Sequence, residues 1–329
     1  MRLCLRPSLA MRVVFAAVCA AVCAGLAGGA LAAEAFLSRR VTLIVAFPPG
    51  GGLDNVCRVV AQGLSKRVGQ PVVVENKPGA GGNIGTAAGA RAAPDGSTLM
   101  CIPHSIIQGG HLYTNLTYDV VKDLAPVTWL GSVDWYFLVR ADSKINSLAD
   151  LIAIGKSEPG KLSIGETGTS AVLISSLLES ASGANFLHVP YSGGSPALTA
   201  LLGGQVDVNT QNFEIASVQI KAGKLRALAV AAGKRSSSLP DVPAAAETLP
   251  GYEASGWYGV VGSSGTPADI TRRWHVEIAA ALEQPEVRQR LRATGMEVAP
   301  KGPDEFGALI RAEFDKWGQV IRKHGIKAN

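Results

Sequence analysis

The residues best suited to chemistry in this chain form a glycine-rich turn, 47–58, with the sequence FPPGGGLDNVCR. The turn follows an apolar run, 41–46, which predicts a buried strand. It precedes a helical pattern with one apolar face, formed by Leu53, Val56, Cys57, Val60 and Leu64. A strand, a glycine turn and a helix together aim free backbone N–H groups at one point, where the helix dipole adds positive charge. The turn therefore predicts a site for a carboxylate or a phosphate. A tight strand-to-helix connection without a ligand is the alternative.

A second glycine-rich loop, NKPGAGGNIG at 76–85, follows the next predicted strand, 71–75. Its start resembles the G-x-G-x-x-G fingerprint of dinucleotide-binding proteins, but the third glycine would be residue 84, which is Ile84. The loop also lacks the Gly-Lys-Ser or Gly-Lys-Thr ending of a P-loop. We therefore do not expect a nucleotide here.

Two further loops open predicted helices in the second half of the chain. Residues 166–170 precede a helical pattern over 171–182, and residues 190–195 precede another. In the second case we predict Pro196 at the first helical position, with Ser195 as the N-cap. If the two halves face each other, a small anion is held from both sides, outside the carboxyl ends of the strands.

The elements that must position these loops alternate between strand and helix. This alternation predicts an α/β fold with mostly parallel sheets and helices on both faces. A length of 329 residues suits two medium domains. The last part of the chain is predicted to be helical, and 304–323 has one apolar face that we expect to dock on the first domain.

The first residues have the pattern of a secretory signal peptide. Three arginines, the last at Arg12, precede an uncharged run over 13–33, and Ala30-Leu31-Ala32 has small residues where a signal peptidase cleaves. We expect residues 1–32 to be removed and the protein to be periplasmic, with a retained membrane anchor as the alternative. Removal lowers the formal net charge from +5 to about +2, so the alkaline pI is no sign of nucleic-acid binding.

Removal of the signal peptide also leaves only Cys57 and Cys101 of the five cysteines. Neither Cys19 nor Cys23 lies in a convincing lipobox, because a valine precedes each where a small residue is expected. Cys57 and Cys101 can form one disulfide in an oxidising compartment. The position of Cys57 on the apolar helix face favours two buried thiols instead.

In order along the chain, these segments resemble the Bug, or TctC, family of periplasmic solute-binding proteins of tripartite tricarboxylate transporters. The resemblance covers nearly the whole mature chain. The segments that carry it are 47–51 with Asp54 and Arg58, 78–85, 93–96, 118–123, 189–191, 202–207, 221–230 and 240–243.

The resemblance implies a type II periplasmic-binding-protein fold, with two α/β lobes joined by two crossing strands and a cleft between them. The strand-like runs 136–140 and 255–261 bracket the second set of α/β units. We therefore expect one lobe from residues 34–137 with 258–329 and the other from 138–257.

The function that the resemblance implies is capture of a small carboxylate and its delivery to the membrane subunits of a tripartite transporter. Such ligands are di- and tricarboxylates, amino acids or aromatic acids, held largely by backbone amides and water. We expect a monomer without cofactor, metal or nucleic acid. A binding protein that serves a regulatory sensor is one alternative, and an enzyme acting on a small acid in the cleft is another.

Carried over by position, the resemblance gives a set of ligand-binding residues. In the first lobe they are Phe47, Gly50, Gly51, Asp54, Gly81, Gly82 and Asn83. In the second lobe they are Gly168, Thr169, Ser170, Tyr191, Gly193 and Ser195. The chain departs from the family pattern near the expected cleft at Glu166, at Gln211 and at residues 108–111. We include Glu166 and Gln211 in the predicted site.

Two acidic residues carry specific expectations. We expect Asp54 to accept backbone N–H groups, or to meet an amino or hydroxyl group of the ligand, and not to touch the ligand carboxylate. If Glu166 points into the cleft, it repels a second carboxylate and favours an amino acid or a monoacid. If it points to solvent, di- and tricarboxylates remain open.

Signatures of catalysis are missing from the sequence. There is no Gly-x-Ser-x-Gly elbow and no His-Glu-x-x-His spacing, and the two mature cysteines are far apart in sequence. We therefore expect a binding protein and not an enzyme. Trp129, Trp135 and Trp257 are predicted to pack near the crossings, although Trp257 or Tyr258 could line a site for an aromatic acid.

Overall fold

A computed structural model describes residues 40–324 and 326, so the predicted signal peptide lies outside the described residues. The first half contains β1 (Val41–Val45), α1 (Gly52–Val68), β2 (Val72–Asn76), α2 (Asn83–Ala90), β3 (Thr98–Pro103), α3 (His104–Gly109) and β4 (Leu124–Val133). The middle contains β5 (Trp135–Arg140), α4 (Leu148–Ser157), β6 (Ser163–Thr167), α5 (Gly168–Ser182), β7 (Leu187–Tyr191), α6 (Gly194–Leu202), β8 (Val208–Asn212), α7 (Phe213–Lys221), β9 (Leu225–Val230) and α8 (Ala245–Thr248). The chain continues with β10 (Gly256–Ser263), α9 (Ala268–Leu282), α10 (Pro285–Ala293), β11 (Met296–Lys301) and α11 (Pro303–His324).

The strands form two sheets, as the predicted α/β class requires. The first has the order β11-β4-β10-β3-β1-β2, and the second has the order β7-β6-β8-β5-β9. In each sheet the strands that carry the glycine-rich loops are parallel, β1 with β2 and β3, and β6 with β7 and β8. Both sheets are mixed, because β10 is antiparallel to β3 and β4, and β5 is antiparallel to β8 and β9. Of the antiparallel strands, β5 and β10 lie next to the points where the chain changes sheets, whereas β11, which is antiparallel to β4, does not.

The chain passes between the sheets at two places. The strand β4 ends at Val133 in the first sheet, and β5 begins at Trp135 in the second. The return lies near Ser255, because the Ala254 N–H still donates to the Ala231 carbonyl of the second half while β10 begins at Gly256 in the first sheet.

Local signals place several helix ends as the sequence predicts. Ser147 and Asp150 form a capping box at the start of α4, in which each side chain accepts a backbone N–H of the other residue. Gly69 ends α1 in the left-handed conformation, with φ of 70°, and its N–H donates to the Ser65 carbonyl.

Separate apolar clusters pack against the two sheets, and α11 belongs to both halves. Phe306 and Ile310, near its start, pack in a cluster with residues of the first sheet. Trp317 and Ile321 pack with residues of the second half such as Phe137. The prediction that this helix docks on the first lobe is therefore correct only for its first part.

The two cysteines form a disulfide, so the expectation of two thiols is wrong. Cys57 lies on the buried face of α1, and this face packs over β3, where Cys101 is equally buried. Their Cα atoms are 6.4 Å apart and their sulfurs are bonded. The apolar surroundings that suggested free thiols are the consequence of this helix-to-sheet packing.

Candidate functional site

A cleft of about 980 Å³ lies between the two halves of the molecule. Loops at the carboxyl ends of parallel strands from both sheets line it, as do residues at the crossing between β4 and β5. This is where ligands of α/β sheets bind in general. The volume is at the upper end of the range of pockets for small molecules.

The glycine-rich turn before α1 lines one wall of the cleft. Gly51 is the N-cap residue of α1 and supplies no side chain to cap the first turn of the helix. Gly50 has a φ of 81°, a conformation that residues with a Cβ rarely adopt. The free N–H groups of this turn are therefore available to an anion in the cleft.

Asp54 holds the glycine-rich turn in place by accepting hydrogen bonds from it and from neighbouring side chains. It is 2% exposed. It accepts the Gly50 N–H at 2.9 Å, Arg58 Nε at 2.8 Å and Asn76 Nδ2 at 2.8 Å. Burial alone would raise the pKa of Asp54, but the bonds from Arg58, Gly50 and Asn76 outweigh it and hold the pKa below its ordinary value. Asp54 thus accepts a backbone N–H, as the sequence predicts.

The second glycine-rich loop contributes less than its sequence suggests. Gly81 lines the cleft. Gly82 is buried, and a Cβ there would lie 2.9 Å from both Phe47 and Ile106. Asn83 accepts a hydrogen bond from the Tyr118 hydroxyl at 2.9 Å and lines a separate surface groove. Gly82 and Asn83 therefore lie outside the lining of the cleft, whereas Phe47 is part of it.

The opposite wall is built from the starts of α5 and α6. The N-cap residue of α5 is Thr167, whose side chain makes no capping hydrogen bond, and that of α6 is Gly193, which has no side chain. Gly168, Thr169 and Ser170 line the cleft, as do residues 192–195. The helix α6 begins two residues earlier than predicted, so Ser195 lies within its first turn and is not the N-cap.

Tyr191 and Gln211 are predicted site residues that lie behind this wall. The Tyr191 ring packs near Gly165, where a Cβ would be 3.4 Å from it. Gln211 is 1% exposed, and its Nε2 would be 2.7 Å from a Cβ at Gly194. Gln211 therefore supports the start of α6 from behind.

Glu166 fits neither of the two orientations considered from the sequence. It borders the cleft, yet it is only 3% exposed and is paired with His188. The His188 ring lies between two carboxylates, with Nδ1 2.9 Å from Glu166 and Nε2 3.1 Å from Glu179. The hydrogen bonds to Glu166 and Glu179 raise the pKa of His188 to about 10, so the ring is protonated at neutral pH.

Several residues that the sequence did not assign to the site also line the cleft. They include His104, Ser105, Tyr113, Trp135 and Glu214. Of the two aromatic alternatives, Tyr258 reaches the cleft, whereas Trp257 packs edge-on against Phe306. Trp135 lines the cleft as well as marking the crossing.

His104 illustrates how the site excludes fixed positive charge. It is the first residue after β3, a position at the carboxyl end of a parallel strand that could have indicated it. Its Nδ1 accepts a hydrogen bond from the backbone N–H of Trp257 at 3.3 Å. The rings of Trp135 and Trp257 flank the imidazole. Burial lowers the pKa of His104 to about 4, so the ring is neutral at neutral pH.

No lysine or arginine is among the described residues that line the cleft. An anion there would be met by backbone N–H groups and hydroxyl groups. Between residues 40 and 324 and at residue 326, no group of three or more His, Cys, Asp or Glu side chains is placed to hold a metal ion. None of the helices in this part of the chain has the length and apolar character needed to cross a membrane.

Two α/β halves, two chain crossings and a ligand-sized cleft between them define a two-lobed solute-binding protein. The model of the family described as "Tripartite tricarboxylate transporter family receptor" matches residues 56–326. The chain therefore belongs to this receptor family, as the sequence motifs predicted.

Two relatives match about nine-tenths of the chain. Protein BugT of Bordetella pertussis is 36% identical over 302 residues, which are 90% of this chain and 93% of that protein. A protein encoded in the tcbD-tcbE intergenic region of Pseudomonas sp. strain P51 is 35% identical over 300 residues, covering 90% and 89% of the two chains.

Solved structures of similar proteins have the same fold. The periplasmic binding protein BugD has a TM-score of 0.78 and 32% identity, covering 88% of this chain and 99% of that one. MatC from Rhodopseudomonas palustris, solved with bound malate, has a TM-score of 0.76 and 32% identity, covering 86% and 99%. Another R. palustris protein, solved with adipate, has a TM-score of 0.80 and 31% identity, covering 88% and 98%.

Proposed function

We propose that this protein captures a small carboxylate in the cleft and delivers it to the membrane subunits of a tripartite tricarboxylate-type transporter. The observation that carries the proposal is the convergence of three uncapped helix starts, those of α1, α5 and α6, on a cleft whose described lining residues include no lysine or arginine. Each hydrogen bond from an N–H group to the charged ligand contributes about 1.5–3 kcal/mol.

The similar structures support a small acid as the ligand. One contains malate and another contains adipate, and both are small dicarboxylates. The cleft of this protein, about 980 Å³, has room for acids of that size and for larger ones.

The two sheets would be the cores of two lobes that close on the ligand. In this proposal the lobes meet near Asp134 and Ser255, where the chain changes sheets. These boundaries differ by about three residues from those expected from the sequence, because β5 belongs wholly to the second sheet. We further propose that the receptor acts as a monomer in the periplasm, after cleavage near residues 32–33.

Binding without turnover is part of this proposal. The cleft contains a histidine, His104, next to Ser105, which invites comparison with a hydrolase. The Nδ1 of His104 accepts a hydrogen bond from the backbone N–H of Trp257, so no carboxylate orients the ring through Nδ1 as in a catalytic triad. The neutral ring is instead part of the apolar packing around Trp135 and Trp257.

Calorimetry on protein purified from the periplasm tests the proposal. We expect malate or adipate, or another acid from a carboxylate panel, to bind, and the matching diamides not to bind. The double variant Gly51→Val and Ser170→Val places bulk at two of the helix starts and should abolish binding. Ala153→Val adds the same bulk at an exposed position of α4 and should leave binding unchanged. Binding that survives the double variant would contradict the site.

A further inference from the structure

Glu214 is a cleft residue whose carboxylate faces the opposite half of the molecule. It lies in the first turn of α7, in the second half, and lines the cleft. Its Oε1 accepts a hydrogen bond from Asn55 Nδ2 at 2.7 Å, and Asn55 belongs to the first turn of α1 in the first half. Glu214 therefore contacts the helix start where the proposed function places a ligand carboxylate.

The approach of Glu214 to α1 is close enough to require a glycine. A Cβ at Gly52 would lie 2.6 Å from Glu214 Oε2 and 3.0 Å from the Tyr258 hydroxyl oxygen. A side chain at position 52 would therefore displace both groups. The second carboxylate oxygen of Glu214 and the Tyr258 hydroxyl thus lie beside the turn that offers its N–H groups to the cleft.

Glu214 differs from the other acids of the cleft in its partners. Asp54 is paired with Arg58, and Glu166 is paired with His188. Within the described residues, Glu214 has the Asn55 amide as a partner for Oε1, no cation, and no hydrogen bond to Oε2. Burial raises the pKa of Glu214, and the hydrogen bond from Asn55 only partly opposes this. A half-buried carboxylate without a cation is costly, and the arrival of a positive group relieves that cost.

We propose that Glu214 binds the protonated amino group of the ligand, so that the ligand is a zwitterionic amino acid. This assignment rests on the proposed function, because the start of α1 must hold the ligand carboxylate. The amino and carboxylate groups of an α-amino acid are attached to the same carbon atom. One corner of the cleft offers backbone N–H groups beside the carboxylate of Glu214, which has no cationic partner among the described residues, and this corner complements that pair of charges.

The same geometry disfavours other acids at this corner. A second carboxylate placed at Glu214 meets a like charge in a partly desolvated site, whereas a hydroxyl group donates one hydrogen bond to Glu214 but brings no positive charge to it. The rest of the cleft, lined by Leu198, Leu202 and Ile215 among others, has room for the side chain of the amino acid.

Calorimetry on matched ligands tests the assignment. Each series keeps one carbon skeleton and changes the 2-substituent from amino to hydroxyl to hydrogen. The compounds are L-aspartate, L-malate and succinate; L-leucine, its 2-hydroxy acid and 4-methylpentanoate; and L-phenylalanine, phenyllactate and 3-phenylpropionate. In the series that binds, we expect the amino acid to bind about tenfold or more tightly than its hydroxy acid. Glu214→Gln, which still accepts from Asn55, should remove this preference.

The outcomes separate the assignment from the proposed function. Glu286→Gln, at an exposed site on α10 outside the cleft, is the matched control and should keep the preference. If hydroxy acids or unsubstituted acids bind as tightly as the amino acids, or if the preference survives Glu214→Gln, Glu214 does not select the ligand. If none of these compounds, malate included, nor any other acid of the panel binds the wild-type protein, the carboxylate site itself is wrong, and this assignment is wrong with it. The wild-type series decides the question even if a variant fails to fold.

Discussion

The two walls of the cleft use acidic side chains in different ways. On the first wall, Asp54 forms an ion pair with Arg58 and accepts further hydrogen bonds from the Gly50 N–H and the Asn76 side chain. On the second wall, Glu166 is held by His188, and Glu214 has no cationic partner among the described residues. The first wall therefore presents N–H groups to the ligand, whereas the second carries negative charge.

The comparison shows that the nearest cation determines the role of an acidic side chain beside a helix start. An acid with a cationic partner supports the structure, whereas an acid without one can contact the ligand. Arg58 lies one helical turn after Asp54, so the acid becomes part of the turn. His188 reaches Glu166 from the neighbouring strand, because β7 pairs with β6 in a register that brings His188 opposite Ile164. Glu214 is left to select the ligand.

The first half is also cross-linked, and the second is not, because no cysteine follows Cys101. The largest expected effect therefore comes from the disulfide. Replacement of both cysteines, by Cys57→Ala and Cys101→Ala, should lower the free energy of unfolding by about 2–4 kcal/mol. Urea titration of the exported protein measures this change.

Reductant provides the matched control for the disulfide. It should destabilise the wild-type protein and leave the double variant unchanged, because that variant has no bond to reduce. An equal response of both proteins to reductant would mean that Cys57 and Cys101 are thiols in solution.

The next largest effect should come from the acid that builds the first wall. Asp54→Ala removes the acceptor of the Gly50 N–H, of Arg58 and of Asn76, and should cost about 1–3 kcal/mol of stability and weaken ligand binding. Asp54→Asn keeps one oxygen acceptor and should cost less. Urea titration and calorimetry on both variants check this order. Equal losses would show that the charge of Asp54, and not its support of the turn, is what matters.

The parts of the fold and site that the sequence predicts are those determined locally. The turns at 47–58, 166–170 and 190–195 are visible because each has glycine, serine or proline between a strand pattern and a helix pattern. Their three helix starts do meet at one cleft. The partner of Asp54 is local too, since Arg58 follows it on the same helix.

What the sequence does not predict depends on pairing between distant segments. Glu214 lies 159 residues from Asn55. Gln211, three residues before Glu214, was predicted for the site, but nothing in the sequence indicates that Glu214 contacts the start of α1. The disulfide was missed because the apolar face of α1 predicts burial without saying which strand lies beneath it. The orientation of Glu166 depends in the same way on a histidine of another strand.

The smallest expected effect concerns pH and the second wall. The pKa of His188 is raised from 6.5 to about 10 in the folded protein. A raised pKa of a base means that its contribution to stability is fully present below about pH 6.5 and is lost as the pH rises toward 10. Because His188 is about one-third exposed, solvent screening should limit this loss to about 1 kcal/mol. Asp54, on the first wall, should contribute no loss of stability in this pH range. Its pKa is lowered, so its contribution to stability is lost only as the pH falls into the acid range.

The change in urea midpoint between pH 6 and pH 9 measures this contribution, and His188→Gln identifies its source. The variant leaves Glu166 buried without a cation, so it should be less stable than the wild type at pH 6, and the two stabilities should converge as the pH rises. Glu286→Gln breaks an exposed ion pair with Lys66, whose groups are both more than half exposed, and should run parallel to the wild type with a loss well under 1 kcal/mol. If Glu286→Gln alters the pH dependence of stability as much as His188→Gln does, the buried ion pair of Glu166 with His188 is no more stabilising than the exposed ion pair of Glu286 with Lys66.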